Sequence, residues 1–311
     1  MEFDIVLGID AGGSKTLVLA AGLSGEELGR AKGGPGNYHA VGFAAASAAV
    51  NDSVREALRA AQADPLRVRA LCLGAAGVDR PEDRALWLEW ARQAFPDAKA
   101  VVVNDALVVM AAGAPPPCCG LAVIAGTGSI VYGRDDQGNV ARAGGWGYLM
   151  GDEGSNYAIG HSALRAVSRA ADGRAPKTLL TRAILNHWGL EKPSDLVGKV
   201  YGEATRKDIS RLGRLVEGCA EAGDPAAVRI LEEAGRELAL AACTVAERMG
   251  LEGEIPIALA GAVLLRGPRV REAFLREAVA RGLRVGQVVL VDEPARGAVR
   301  LALDTLKSGT L

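Results

Sequence analysis

The chain is poor in the side chains that most often hold metals or form crosslinks. Among 311 residues there are 3 histidines and 5 cysteines. Cys72, Cys118, Cys119, Cys219 and Cys243 form no Cys-x-x-Cys pair and are odd in number, so no disulfide framework is expected. With only His39, His161 and His187 beside them, a zinc cluster has little support. An excess of one charge is also missing. Lys+Arg 36 against Asp+Glu 37 leaves a net charge of −1, with no broad basic field for nucleic acid. No apolar run is long enough to span a bilayer. Met1-Glu-Phe-Asp4 lacks a basic, apolar signal region, which leads us to expect a cytoplasmic protein with no membrane partner. No helix-turn-helix segment precedes Ile5, which argues against DNA binding. A Walker loop is excluded because Gly-x4-Gly-Lys-Ser/Thr does not occur.

Glycine, in contrast, is abundant, and 40 residues of it fall in telling places. Gly144-Gly-Trp-Gly-Tyr-Leu-Met-Gly-Asp-Glu-Gly-Ser155 packs five glycines, a Trp and two carboxylates into one short loop. Glycines let backbone approach a ligand or adopt positive φ. A Trp among them offers a flat apolar wall with one N–H donor. That is chemistry for a small polar ligand such as a sugar, although a glycine-rich hairpin around a buried Trp fits the loop equally well.

Two further glycine turns share one form. Ile5-Val-Leu-Gly-Ile-Asp10 reads as a buried strand, Ala11-Gly-Gly-Ser-Lys-Thr16 as a tight turn, and Leu17-Val-Leu-Ala-Ala21 as the returning strand. Leu121 to Ala125, Gly126-Thr-Gly-Ser129 and Ile130 to Gly133 repeat the pattern. Each unit is followed by a third short strand, Glu27 to Ala31 and Val140 to Ala143. Successive backbone N–H groups in such turns suit phosphate oxygens. A strand rather than a helix follows the first glycines, so this is no Rossmann fingerprint. A duplicated phosphate turn suggests a nucleotide held by two related halves.

The remaining elements are read from periodicity. Helices are expected over 40–63, 81–94, 106–112, 155–171, 177–187, 208–222, 225–249, 268–281 and 294–306. Strands are expected over 68–73, 100–103, 255–260 and 287–291. The Pro-Pro-Pro of residues 113–120 marks the clearest boundary. A hydrophobic content of 49% suffices for two lobes.

Asp10-Ala-Gly-Gly-Ser-Lys-Thr16, Asn104-Asp-Ala106, Gly126-Thr-Gly-Ser129 and the 144–155 loop resemble the N-acetylglucosamine kinase branch of the BadF/BadG/BcrA/BcrD ATPase family. That family lies within the sugar kinase, heat-shock-70 and actin superfamily. The resemblance runs through nearly the whole chain in motif order. It implies an α/β fold of two ribonuclease H-like lobes with a central nucleotide cleft, closing over ATP and sugar to exclude water. The lobes would be residues 1–117, joined by a terminal helix at about 294–311 packing back, and residues 118–293. A homodimer is the expected assembly, and ATP and Mg²⁺ the expected cofactors.

Roles follow from what phosphoryl transfer requires. Asp105 ends a parallel strand and opens a helix, so it is the candidate general base, with a helix N-cap as the bland alternative. Asn104 is a weaker candidate for a sugar hydroxyl. Asp10 is placed to orient Mg²⁺ through water. Gly12, Gly13, Ser14 and Lys15 form the first phosphate turn, and Gly126, Thr127 and Gly128 the second. For the sugar, the resemblance points to Asn37, whose alternative is a left-handed turn residue, and to Asp105, Gly145, Trp146, Gly147 and Asp152. Glu153 would bind sugar or cap the following helix. Gly261 and Ala262 match the family's adenosine motif, and Ala220 matches its adenine side more loosely.

The implied activity is ATP-dependent phosphorylation of an amino sugar, N-acetylglucosamine at its 6-hydroxyl first. Glucosamine or N-acetylmuramic acid are alternatives. An ATPase activator of a radical dehydratase is a rival from the same family, but it needs cysteines for an iron–sulfur cluster, and here only Cys118-Cys119 lies near a phosphate turn in sequence. A sugar-sensing regulator of related fold is a third reading. The cysteine cluster of the glucokinase and repressor family is absent.

Overall fold

The computed structural model describes residues 3–78, 80–114 and 118–308. The Pro115 to Pro117 boundary, Met1 and Glu2, and the last residues of the expected terminal segment lie outside them. In chain order the strands and helices begin with β1 (Ile5–Ala11), β2 (Thr16–Gly22), β3 (Glu27–Gly33), α1 (Tyr38–Val41), α2 (Phe43–Ala60), β4 (Val68–Ala75), α3 (Pro81–Ala94), β5 (Lys99–Asn104) and α4 (Asp105–Gly113). They continue with β6 (Gly120–Ala125), β7 (Ser129–Arg134), β8 (Val140–Gly144), α5 (Asn156–Ala171), α6 (Leu179–Trp188), α7 (Leu196–Gly198), α8 (Arg206–Arg211), α9 (Gly213–Glu221) and α10 (Pro225–Met249). The last are β9 (Ile255–Ala260), α11 (Ala262–Arg266), α12 (Pro268–Ala280), β10 (Val285–Val291) and α13 (Ala295–Ser308).

The chain divides into two units. The first holds residues 1–119 and 291–311, the second residues 120–290. In the first, five strands lie in the order β3-β2-β1-β4-β5. β1, β2 and β3 form an antiparallel meander, and β4 and β5 add parallel to β1. β1 is apolar on both faces and almost fully buried, as a central strand covered on both sides must be. One face packs on α2 and α3 through Val50, Val54, Leu58, Trp87 and Trp90. The other packs on α4 and α13 through Val108, Ala298, Val299 and Leu301.

α13 sits close to β1 and α4 because a glycine stands at each contact, Gly8 on β1 and Gly297 on α13 itself. A Cβ on Gly8 would lie 2.5 Å from the Val299 nitrogen, and one on Gly297 would lie 2.6 Å from the Ala112 nitrogen. Arg300 then donates from Nη1 to the carbonyls of Ala111 and Ala114, at 3.0 and 2.7 Å, closing the C-terminal end of α4.

The second unit repeats the plan, with strand order β10-β9-β6-β7-β8. β6, β7 and β8 form the meander and β9 adds parallel to β6. Its core gathers Val123, Leu164, Leu180, Val216, Leu231, Leu259 and Phe274 around α10. No described helix is long and apolar enough to cross a membrane.

Several expectations need correction. The helix expected over 40–63 is broken at Gly42, whose φ of +81° ends α1 before α2 begins. The helix expected over 208–222 starts earlier and divides at Leu212 into α8 and α9. There Gly213 lets α9 pass against the Asn156 side chain. Residues 189–205, given no element from sequence, form α7 and a π-helical turn, Lys199–Glu203.

Candidate active site

In the first unit the chemistry collects at the carboxyl ends of β1 and β5, where open α/β sheets meet ligands. Asp10 precedes the turn that joins β1 to β2. Gly12 donates its N–H to the Lys15 carbonyl at 3.0 Å and closes this turn, leaving Gly13, Ser14 and Lys15 exposed. The Gly12 carbonyl accepts from the Gly36 N–H at 3.0 Å, which ties the 33–38 loop to the turn. A Cβ on Gly36 would meet Ala11 Cβ at 2.6 Å, so only glycine allows that approach.

Burial pushes the Asp10 carboxyl up to about 7, the Asp105 charge adds to this, and Lys15 works against it. Asp10 and Asp105 are thus two carboxylates within electrostatic reach of each other beside a phosphate-suited turn. Such a pair favours a cation or a proton between it and its ligand. The donor chemistry fits Mg²⁺, which binds through one or two carboxylates and keeps much of its water.

The cap alternative for Asp105 does not hold. Asn104 is the N-cap of α4, and its side-chain oxygen accepts from the Ala106 N–H at 2.8 Å. Asp105 is the first helical residue and half-buried. Asn104 is itself buried, and its side-chain oxygen is engaged in this cap. Asn37 also differs from its turn alternative. Its φ is −76°, and its side chain accepts from the His39 N–H at 3.1 Å as the N-cap of α1. Next to it Tyr38 donates its hydroxyl to Asp83 on α3, which fixes the loop from the other side.

In the second unit the glycine turn and the Trp loop are one hydrogen-bonded body. Gly126 donates to the Gly128 carbonyl at 2.8 Å to form the turn. Ser129 accepts at its carbonyl from Gly145 N–H at 3.0 Å and donates from Oγ to the Glu153 carbonyl at 2.6 Å. The Ser129 N–H reaches Asp152 Oδ1 at 3.3 Å, and the Asn156 N–H reaches the Gly126 carbonyl at 2.8 Å. Asp152, with φ of +63°, is only 3% exposed. A Cβ on Gly128 would lie 2.8 Å from Asp152 Oδ2, so the turn can be no bulkier there. Thr127 stays exposed. Ser155, not Glu153, caps α5 through its side chain.

Trp146 is 64% exposed, so the alternative of a hairpin around a buried Trp fails. The Arg142 guanidinium lies 5.6 Å from its ring centroid. Gly145 and Gly147 flank it with φ of +71° and +83°. Tyr148 stands between Arg206, at 5.0 Å, and the ring of Tyr157, at 4.9 Å. Arg206 also donates from Nη2 to Asp152 Oδ2 at 3.0 Å. Gly261 follows β9 with φ of +87° and packs on the Ala125 backbone, leaving Ala262 exposed at the start of α11. Ala220 is 2% exposed within the core, so its side chain offers no open face to an adenine.

Sequence reasoning missed Arg206, Arg142 and the linking role of Ser129. Arg206 lies 54 residues from Asp152, in a stretch with no motif, and no local signal announces it.

The model of the BadF/BadG/BcrA/BcrD ATPase family matches residues 7–302. The chain belongs to this family. Within it the chain is 34% identical over 299 residues to the N-acetylmuramic acid/N-acetylglucosamine kinase of Clostridium acetobutylicum, covering 96% of this chain and 97% of that one. It is 32% identical over 319 residues to the N-acetyl-D-glucosamine kinase of Dictyostelium discoideum, covering 99% and 100%. A solved structure from Chromobacterium violaceum, attributed to an N-acetylglucosamine kinase, superposes with a TM-score of 0.77 at 28% identity, over 97% and 99% of the two chains. A Streptomyces griseus glucokinase of the ROK family, at 19% identity and a TM-score of 0.54, shares the fold over 96% and 98% of the chains. The two mixed five-stranded sheets of this family member are those of the sugar kinase and actin-like fold.

Proposed function

We propose that this chain transfers the γ-phosphoryl group of ATP to the 6-hydroxyl of N-acetylglucosamine. Asp105 carries the reading. It stands at the end of β5 beside the first glycine turn, and Asn104 relieves it of capping α4. In this scheme the Asp105 carboxylate takes the proton of the sugar hydroxyl as its oxygen bonds to the γ-phosphorus. The bond from that phosphorus to the β–γ bridging oxygen breaks, and ADP leaves. The scheme gives phosphate oxygens the backbone N–H groups of Gly12, Gly13, Ser14, Gly126 and Gly128, the Thr127 hydroxyl and the Lys15 ammonium as donors. Asp10 orients hydrated Mg²⁺, which when bound neutralises phosphate charge.

Gly261 and Ala262 leave room for adenosine. Asn37, Gly145, Trp146, Gly147 and Asp152 take the sugar, Trp146 as the apolar wall. The reaction belongs in the cytoplasm, where ATP is supplied. The double name of the 34% identical Clostridium relative favours N-acetylmuramic acid as a second acceptor.

The test is Asp105→Asn with coupled detection of ADP over a panel of hexoses and amino sugars. Loss of a general base typically costs ~10²- to 10⁴-fold, so turnover should fall by about that factor while the KM for sugar moves little. The melting temperature should hold, because the cap is Asn104. Near-normal turnover would refute Asp105 as the base.

A further inference from the structure

Asp152 is a buried carboxylate with a tightly defined surround. Ser129 N–H meets one oxygen, and Arg206 Nη2 meets the other at 3.0 Å. The Asp152 side chain is 5% exposed and that of Arg206 is 40% exposed. The same guanidinium covers the Tyr148 ring of the Trp loop. Arg206 opens α8, whose register is fixed by the Thr205–Asp208 capping box. One arginine from a distant helix thus touches both the carboxylate and the aromatic that flank the sugar-binding segment.

We propose that Arg206 is a positioning residue for the sugar site: it keeps Asp152 charged and turned toward the glycine turn, and holds Tyr148 in place. The inference rests on the reading of Asp152 as a sugar ligand. An ionised carboxylate is the stronger acceptor for sugar hydroxyls. Burial raises the Asp152 carboxyl above the usual carboxylate range, opposed by the Ser129 N–H and by Arg206, with Glu153 adding to the rise. A buried ion pair that loses its cation leaves an uncompensated charge, which is relieved when the carboxyl takes up a proton. Arginine suits this post because its planar fork serves a carboxylate edge and an aromatic face together.

The sign is therefore defined. Without Arg206, Asp152 holds its proton to higher pH, so the sugar KM is worst at low pH and recovers as pH rises. Arg206→Ala should raise the sugar KM severalfold on the acid side of neutrality, where the carboxyl takes up its proton. Its kcat should change less, and the defect should shrink toward pH 9. Arg206→Lys should restore most of the KM. Asp152→Asn should raise KM without that pH dependence, and adding Arg206→Ala to it should cost little more.

A second readout needs no catalysis. Trp146 emission, corrected with Trp146→Phe, should titrate with a midpoint at higher pH in Arg206→Ala than in the wild type. The titration should vanish in Asp152→Asn. A pH-independent KM rise in Arg206→Ala without rescue by lysine would overturn the proposal, as would an unmoved emission midpoint. A wild type that phosphorylates no amino sugar would instead sink the kinase reading, and the emission midpoint would still decide the role of Arg206.

Discussion

At the scale of single residues, the sugar loop should report on its own occupancy. Trp146 is 64% exposed with the Arg142 guanidinium over its ring, whereas Trp87 and Trp90 are buried in the first unit. A sugar ring laid on the open face would remove it from water, and indole emission should shift to the blue. Titration with N-acetylglucosamine should show this shift, and Trp146→Phe should abolish it. A full signal in that variant would place the sugar elsewhere. Of the residues proposed for the site, those carried by short motifs stand out in sequence: Asp10, the two glycine turns and Asp105 lie within runs whose residue types restrict their geometry. Asn37 and Asn104 were legible as polar loop residues but not as caps, because capping depends on which N–H the side chain meets. Arg206 was invisible, since its partnership with Asp152 spans α5, α6, α7, a π-helical turn and the loops between them.

At the scale of elements, α13 depends on close approach. A Cβ on Gly297 would run into the backbone of α4, while one on Gly218 in α9 would meet nothing within 4 Å. The same substitution should therefore have opposite signs. Gly218→Ala should raise stability by up to about 1 kcal/mol through helix propensity. Gly297→Ala should lower it by about 1–3 kcal/mol through overpacking. Denaturant midpoints at constant slope would measure both. A stabilised Gly297→Ala would mean that α13 does not dock tightly. Long periodic elements such as α3, β9 and α10 matched their sequence expectation to the residue. Two of the misses came where one glycine changed the path: Gly42 breaks a run whose composition is helical throughout, and Gly213 begins α9 where periodicity alone runs on.

At the scale of the molecule, the two units differ in how the chain builds them. Residues 120–290 form one unit in a single stretch, whereas the other needs residues 1–119 and the returning segment 291–311. Removing α13 uncovers Val6, Leu17, Leu19 and Cys72 on the face it packs against. A chain ending before Ala295 should lose the thermal transition of the first unit and keep that of the second. Differential scanning calorimetry would separate them, and loss of both transitions together would contradict independent cores. The sequence made the repeated meander legible, because β1–β2 and β6–β7 are apolar runs joined by glycine turns. That α13 completes the opposite unit was legible only through the resemblance. The split also sets an order of synthesis. During translation the segment 120–290 can settle as soon as it clears the ribosome, but the carboxylates at Asp10 and Asp105 belong to a half that stays open until the final helix emerges. A message cut short anywhere before that helix would then yield a protein with one finished half and one that never closes.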